Sequence, residues 1–488
     1  MRVVVIGAGL GGLGVALRLQ GQGYDVTVVE SRDKPGGRAY QLRDGDFTWD
    51  TGPSLITMPW VLEETFAAGG LDLASEVTMR RLDPMYRIKW SQTDQHFDFS
   101  DDRDRLRAEI AKFSTRDAAR LDDFLQALKP IYEQGILAAG RKAFLNSKDF
   151  AALLPMMLKL DAARPLYSFV SRFFEHPRIR EAFSFHSLFI GGDPYRVPAI
   201  YGALVYLQVL DGGWYADGGV YSLVEAMARP LDVRCGDGVE RIEHTGRRVT
   251  GVVTRGGERI PADVVISNAD VLRTHELVGR RAPLRKLRPT MSAFLLYVGT
   301  SRQFPELLHH TLLVSDGYRD FIRNVTRGSE LPTAFSTYIH APSRTEPGMA
   351  TAGGDSIAAL LPVPNLRAGI EWERAADGLR DALVGDMEKT FGLTGLGSSV
   401  TVEHRMTPLD FERDLGAVWG NAFALEPTLQ QSAYFRQPNR DRSLTGLYFV
   451  GGGTHPGAGI PGVLMGAEVT AGLVAVDHPA PQRPKAQA

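Results

Sequence analysis

Cysteine is nearly absent: Cys235 is the only one among 488 residues. One thiol excludes an internal disulfide and a thiolate metal cluster, so no metal site is expected, and it fits a reducing compartment. Net charge is scarce too. Fifty-five basic against 57 acidic residues leave a formal charge of −2, which gives no reason to expect a nucleic-acid partner. No apolar run is read as long enough to span a bilayer, and internal repeats are absent. The first expected strand starts at Arg2, so no export signal is read there. Together these absences lead us to expect a cytoplasmic chain, soluble or peripheral to a membrane. Glycine, in contrast, is plentiful at 52 residues. The length calls for two or three domains.

The glycines concentrate where they carry chemistry. Arg2–Ile6 is a short β-branched run of the kind that forms a buried strand. Gly7, Gly9 and Gly12 follow in the spacing G-x-G-x-x-G, and Leu10, Gly11 and an apolar helix run on through Leu17 and Leu19. Such a turn brings backbone N–H groups at a helix N-terminus up to a pyrophosphate. A second strand, Asp25–Val29, ends in Glu30, with Ser31 beside it. A carboxylate there accepts from both ribose hydroxyls and disfavours a 2′-phosphate, which argues against NADP. Lys34-Pro35-Gly36-Gly37-Arg38 follows directly, two glycines that admit a ligand and a fixed cation suited to phosphate. Near the C-terminus the logic repeats. The strand Leu447–Val450 leads into Gly451-Gly452-Gly453-Thr454-His455-Pro456-Gly457-Ala458-Gly459-Ile460-Pro461-Gly462-Val463, with a helix expected from about Leu464.

Between these motifs, Val233–Ile242 reads as one strand, and Arg247–Val253 is expected to pair with Arg259-Ile260 across Gly256-Gly257. Asp263–Ser267 reads as a further buried strand leading into Asn268-Ala269-Asp270. Residues 101–210 carry helical periodicity, as at Leu121, Phe124, Leu125 and Leu128. From Met291 to about Pro364 apolar and polar residues alternate, Phe294–Val298 being the clearest strand. The expected cofactor-binding domain is discontinuous, residues 1-82, 216-280 and 441-477. Residues 83-215 and 281-440 form the expected substrate domain, and 478-488, rich in Pro, Gln and Ala, the expected disordered tail.

These motifs resemble the bacterial phytoene desaturases, FAD-dependent carotenoid desaturases. The likeness is carried by GAGLGGL, ESRDKPGGRAY, Asp50-Thr51-Gly52-Pro53, Ala182-Phe183-Ser184-Phe185-His186-Ser187-Leu188 and, most specifically, GGGTHPGAGIPGV. It covers nearly the whole chain. It implies an α/β fold: a discontinuous Rossmann-like FAD-binding domain of the amine-oxidase/GDP-dissociation-inhibitor type, with an α+β substrate domain. It implies FAD, a lipophilic polyene substrate, peripheral attachment to the cytoplasmic membrane, and a quinone or oxygen as electron acceptor. It places Gly52 and Pro53 along the flavin and Val239 at the adenine. The expected activity is desaturation of an acyclic carotenoid, phytoene to lycopene-type products, by hydride transfer to flavin N5 and proton loss. Two departures from the pattern stand out. Gly452 replaces a common alanine, and Asp211–Gly219 carries an acid where many relatives have another residue, which leaves the preferred end of the polyene open.

No acid/base pair is legible, and none is required, because a polyene cation is itself acidic. Arg164 and His186 are the only catalytic candidates; an ion pair on a helix surface and a satisfied core histidine are their structural alternatives. Phe150–Leu160 is the candidate membrane lip, and Arg280, Arg281, Arg285, Lys286 and Arg288 a candidate lipid-facing cluster. Other readings stay open: a 3,4-desaturase acting later, a diapocarotenoid desaturase, an amine oxidase-like flavoenzyme, or a non-enzymatic binder like the GDP-dissociation inhibitors. Against the amine oxidases, Ile460-Pro461-Gly462 stands where they usually place a tyrosine.

Overall fold

The computed structural model describes residues 1–91, 93–281 and 287–480. Two sheets organise it. The first is a five-stranded parallel sheet in the order Leu447–Phe449, Val264–Ser267, Arg2–Ile6, Asp25–Val29, Asp232–Arg234. Its strands are short, and the three inner ones are rich in buried β-branched residues, as parallel strands covered on both sides must be. The helix Leu10–Gly21 follows the first strand and packs on the C-terminal helix Ile460–Asp477, where Gly14 leaves room for Leu464 and Ala467. Strands that are far apart in sequence thus deliver both glycine turns to the carboxyl ends of the sheet's strands.

The second sheet has seven strands: Val400–Met406, Ser292–Thr300, Ser356–Val363, Thr337–His340, His310–Val314, Tyr86–Trp90 and His96–Phe99. Its neighbours pair antiparallel, except that His310–Val314 runs parallel to Tyr86–Trp90. Helices from residues 103–211 pack beside it, and Leu121, Phe124, Leu125 and Leu128 are all buried, as their spacing predicts.

Four expectations are corrected. Val233–Ile242 is not one strand: Asp232–Arg234 ends in the parallel sheet and Val239–Thr245 starts another. The break falls at Gly236, whose φ of +88° no continuing strand can hold. Ser292–Thr300, second from the edge of this sheet, does not alternate, because every residue in it is buried. The C-terminal helix opens at Ile460, earlier than Leu464, with Pro461 in its first turn. Finally, Ile460–Asp477 is long and apolar enough to cross a membrane by length and composition, although half of it is buried against the rest of the protein.

Candidate functional site: a dinucleotide cradle opening into an apolar chamber

A cavity of about 1180 Å³ joins the two sheets, larger than a pocket for an ordinary small molecule. One end is built from glycine-rich turns. Gly7, Gly9, Leu10, Gly11, Glu30, Ser31, Gly37, Arg38, Gly52, Pro53, Val239, Gly451, Gly452, Gly462 and Val463 all line it. A Cβ on Gly11 would come within 2.7 Å of the Asn268 amide oxygen and 3.2 Å of the Gly451 Cα. The first and last glycine motifs therefore close on each other with no room for a side chain.

Two glycines of the motifs are packing positions, Gly12 in the role its place in G-x-G-x-x-G gives it and Gly453 in place of an expected cofactor contact. A Cβ on Gly12 would overlap the Gly7 carbonyl, so Gly12 lets the helix lie on its strand and does not face the cavity. Gly453 is turned toward Val271, 2.5 Å from where its Cβ would stand, and lies off the cavity wall.

Glu30 is buried at the end of the second strand. Its carboxylate accepts from the Ala8 N–H at 2.7 Å and the Arg32 N–H at 2.9 Å. These bonds fix the acid at the cavity edge beside Gly238 and Val239. Arg38 donates from Nε to the Ala422 carbonyl at 2.8 Å. Burial lowers the pKa of its guanidinium and raises that of the nearby Asp270 carboxyl, each partly offset by the other's charge. A partly buried cation resting on a carbonyl, where the cavity passes, fits a phosphate group. Two helix N-termini point into the same space, those of Leu10–Gly21 and Ile460–Asp477. The cradle thus fits a dinucleotide whose pyrophosphate is held by N–H groups and one arginine.

Beyond the glycines the wall becomes apolar. Ile88, Leu204, Leu207 and Leu312 line the chamber together with the rings of Phe185, Phe189 and Tyr338. Neither catalytic candidate reaches it. Arg164 is half exposed and paired with Asp161 on the same turn. His186 lies one layer behind the wall, bonded through Nε2 to Tyr86 Oη at 2.8 Å and Gln208 Oε1 at 3.1 Å. Burial pushes its imidazole down to about 3, so it is neutral at physiological pH.

Several wall residues escaped the sequence reading. Asn268 sits between the glycine turns, and its only signal is that the strand ending at Ser267 aims it there. Asp270 caps the helix Val271–Leu277 and accepts from Asn421 at 3.1 Å. Tyr338 is held by Ser54 at 3.0 Å and His310 at 2.7 Å. Tyr338 donates no composition signal at all, being one tyrosine in a strand.

The membrane candidates are also redistributed. Phe150–Leu160 is two short helices, Ser147–Ala151 and Leu154–Lys159. Met157 is buried, whereas Leu154 and Leu158 are 43% and 78% exposed. Arg280 is committed to Asp441 at 2.7 Å, Arg285 and Lys286 lie outside the described residues, and so does the tail from 481 onward.

The architecture and the glycine cradle have close counterparts. The chain matches the flavin containing amine oxidoreductase family over residues 10–475. It is 39% identical over 487 residues to a lycopene-forming phytoene desaturase of Pantoea ananas, covering 97% of this chain and 99% of the relative. It is 35% identical to a neurosporene-forming phytoene desaturase of Rhodobacter capsulatus, covering 99% and 96%. A putrescine oxidase structure bound to putrescine superposes with a TM-score of 0.65 at 13% identity, covering 98% and 99%, a likeness of fold. With its cradle formed at both ends of the sequence, the chain belongs to the flavin-containing amine oxidoreductases, among the bacterial phytoene desaturases.

Proposed function

We propose that this flavoprotein desaturates an acyclic carotenoid, converting phytoene to lycopene-type products with FAD as its cofactor. The carrying observation is that one cavity runs from the dinucleotide cradle into an apolar chamber. A hydrocarbon substrate has no polar handle, so shape and apolar burial must position it. The similarity to phytoene desaturases supports phytoene over a polar amine. Bound FAD would supply a hydride acceptor. The residues proposed to hold it are Glu30 at the ribose, Val239 at the adenine, Gly9–Gly11 and Arg38 at the pyrophosphate, and Gly52, Pro53, Gly451, Gly452, Gly462 and Val463 along the ring system.

The chamber supports the second half of the chemistry by what it lacks as well as by what it has. The aromatic side chains of Phe185, Phe189 and Tyr338 line the chamber, and electron-rich rings suit an electron-deficient polyene. Apolar walls keep water from that cation. Phytoene in liposomes, incubated with the flavin-loaded protein, is expected to give red, longer-conjugated products. Turnover of lycopene without turnover of phytoene would move the assignment to a later desaturase, and turnover of amines alone would overturn it.

We also propose the chain division already described, into 1-82, 216-280 and 441-477 against 83-215 and 281-440. In support, every strand of the five-stranded sheet comes from the first set and every strand of the seven-stranded sheet from the second. The pair Met79–Leu82 with Gly213–Ala216 spans the seam.

Substrate of this kind resides in a bilayer, and a peripheral entrance is proposed at Leu154, Leu158 and Phe435. Phe435 is 50% exposed and packs on Phe150 with ring centroids 5.0 Å apart. Three residues before it, Ser432 bonds Tyr201, which lines the chamber. The double variant Leu154→Glu/Leu158→Glu is expected to sediment with liposomes at least about tenfold more weakly, since each inserted leucine contributes roughly 1.5–3 kcal/mol. Unchanged sedimentation at unchanged flavin content would remove this entrance. The electron acceptor is proposed to be oxygen or a quinone, and a quinone would arrive through the same bilayer.

A further inference from the structure

His309, His310 and His340 form a buried group that the desaturation chemistry does not use. His310 and His340 are direct cross-strand partners in adjacent antiparallel strands, and His309 immediately precedes the first of these strands. The pairing of two strands therefore stacks three imidazoles at one place. One nitrogen of each ring lies within 4.8 Å of one from each of the others, and His309 Nε2 stands 3.2 Å from His340 Nε2. Tetrahedral zinc with imidazole nitrogens at about 2.0–2.1 Å requires nitrogens roughly 3.3 Å apart. One edge of such a site is already at that spacing, and the other nitrogens, within 4.8 Å, would close on binding.

The outer nitrogens are arranged as metal-binding histidines arrange them. His309 Nδ1 is 2.6 Å from Thr345 Oγ1, and His310 Nδ1 is 2.7 Å from Tyr338 Oη. Oxygen partners on these Nδ1 atoms fix the ring orientations and leave Nε2 of both rings for a ligand: His309 Nε2 meets His340 Nε2, and the His310 ring stacks on that of His340 with centroids 5.1 Å apart. His310 Nε2 is buried with no hydrogen-bond partner among the described residues. Leaving such a group unpaired costs about 1–3 kcal/mol. An ion would satisfy it. His340 Nδ1 is likewise without a partner. Negative charge lies one step away: the Tyr215 ring packs with its centroid 4.6 Å from that of His309, and its hydroxyl donates to Glu346 at 2.6 Å.

We propose that His309, His310 and His340 bind one divalent transition ion of the zinc class through Nε2 of each ring, the fourth position being taken by water. Three imidazoles without thiolate or carboxylate in the ligand set suit zinc, cobalt, nickel or copper over magnesium or calcium. The ion would join the two strands and, through His310 Nδ1, hold Tyr338 in the chamber wall. Its role is structural, and it stands independently of the proposed substrate.

The test uses the flavin-loaded full chain, dialysed against chelator and titrated with cobalt(II) and then zinc. One equivalent of cobalt is expected to raise the intense visible bands of a tetrahedral centre, and zinc is expected to displace it. His310→Gln and His340→Gln, made separately, are expected to weaken binding at least about tenfold. His244→Gln, an exposed histidine outside the group, is expected to bind as the parent does. Absence of saturable one-equivalent binding by the parent would overturn the proposal, as would equal binding by both variants of the group. If the variants fail to fold, X-ray absorption on the cobalt-loaded parent decides. Three imidazole nitrogens in the first shell support the site, and a shell of six oxygens overturns it.

Discussion

Glu30→Ala, purified from flavin-replete cells, is expected to carry less than about a tenth of the parent's flavin. The acid ends the second strand at the cavity edge, and two backbone N–H groups already hold it in place. Hydrogen bonds from ribose hydroxyls to a charged acceptor contribute about 1.5–3 kcal/mol each. Losing even one lowers affinity about tenfold or more. The alanine variant also releases the Ala8 and Arg32 N–H groups, which loosens the turn that the first helix starts from. Glu30→Gln keeps the shape but not the charge, and is expected to retain an intermediate amount. The check is the ratio of flavin to protein absorbance after gel filtration. Full flavin in the alanine variant, and in Arg38→Ala beside it, would contradict the placement of the cofactor.

The second large effect separates the chamber from the cradle. Leu204→Glu puts a carboxylate into the apolar wall, on the helix Ala203–Asp211, which carries none of the cradle's glycine turns. Burying an unpaired charge against a hydrocarbon costs at least several kcal/mol unless the group takes up a proton. A penalty of about 3 kcal/mol in binding and reaching the transition state corresponds to roughly a hundredfold loss in kcat/KM. Flavin content is expected to be unchanged. Steady-state conversion of phytoene, measured beside the flavin ratio, checks both halves. Loss of flavin together with activity would mean that the chamber and the cradle are not separable as described.

How much of this was legible in sequence follows from distance along the chain. The first cradle was readable because its strand, glycines, helix, second strand and acid lie within thirty residues; Arg2–Ile6 and Asp25–Val29 fall where the pattern puts them. The C-terminal motif was readable for the same reason, local glycine density before a helix. Sheet pairing was not. Arg38 finds its carbonyl partner 384 residues away, and His310 meets His340 only once their strands pair. Neither contact leaves a trace in periodicity. Where local rules failed, the cause was again tertiary. Residues 291–364 suggest alternation, but Ser292–Thr300, an inner strand next to the sheet's edge, is buried on both faces. Phe150–Leu160 suggested one interfacial helix, but the chain breaks at Ala152-Leu153 and turns Met157 inward. Gly453 looked like its neighbours, yet only the fold shows that it packs on Val271.

The most direct measurement is a single-turnover experiment: flavin-loaded protein mixed anaerobically with phytoene in liposomes. Flavin bleaching and the rise of longer-conjugated polyene bands are followed together. Flavin absorbance is expected to fall in step with phytoene loss, with about one new double bond formed per flavin reduced. Flavin that stays oxidised with phytoene and other acyclic carotenoids, but bleaches on addition of an amine, would contradict it.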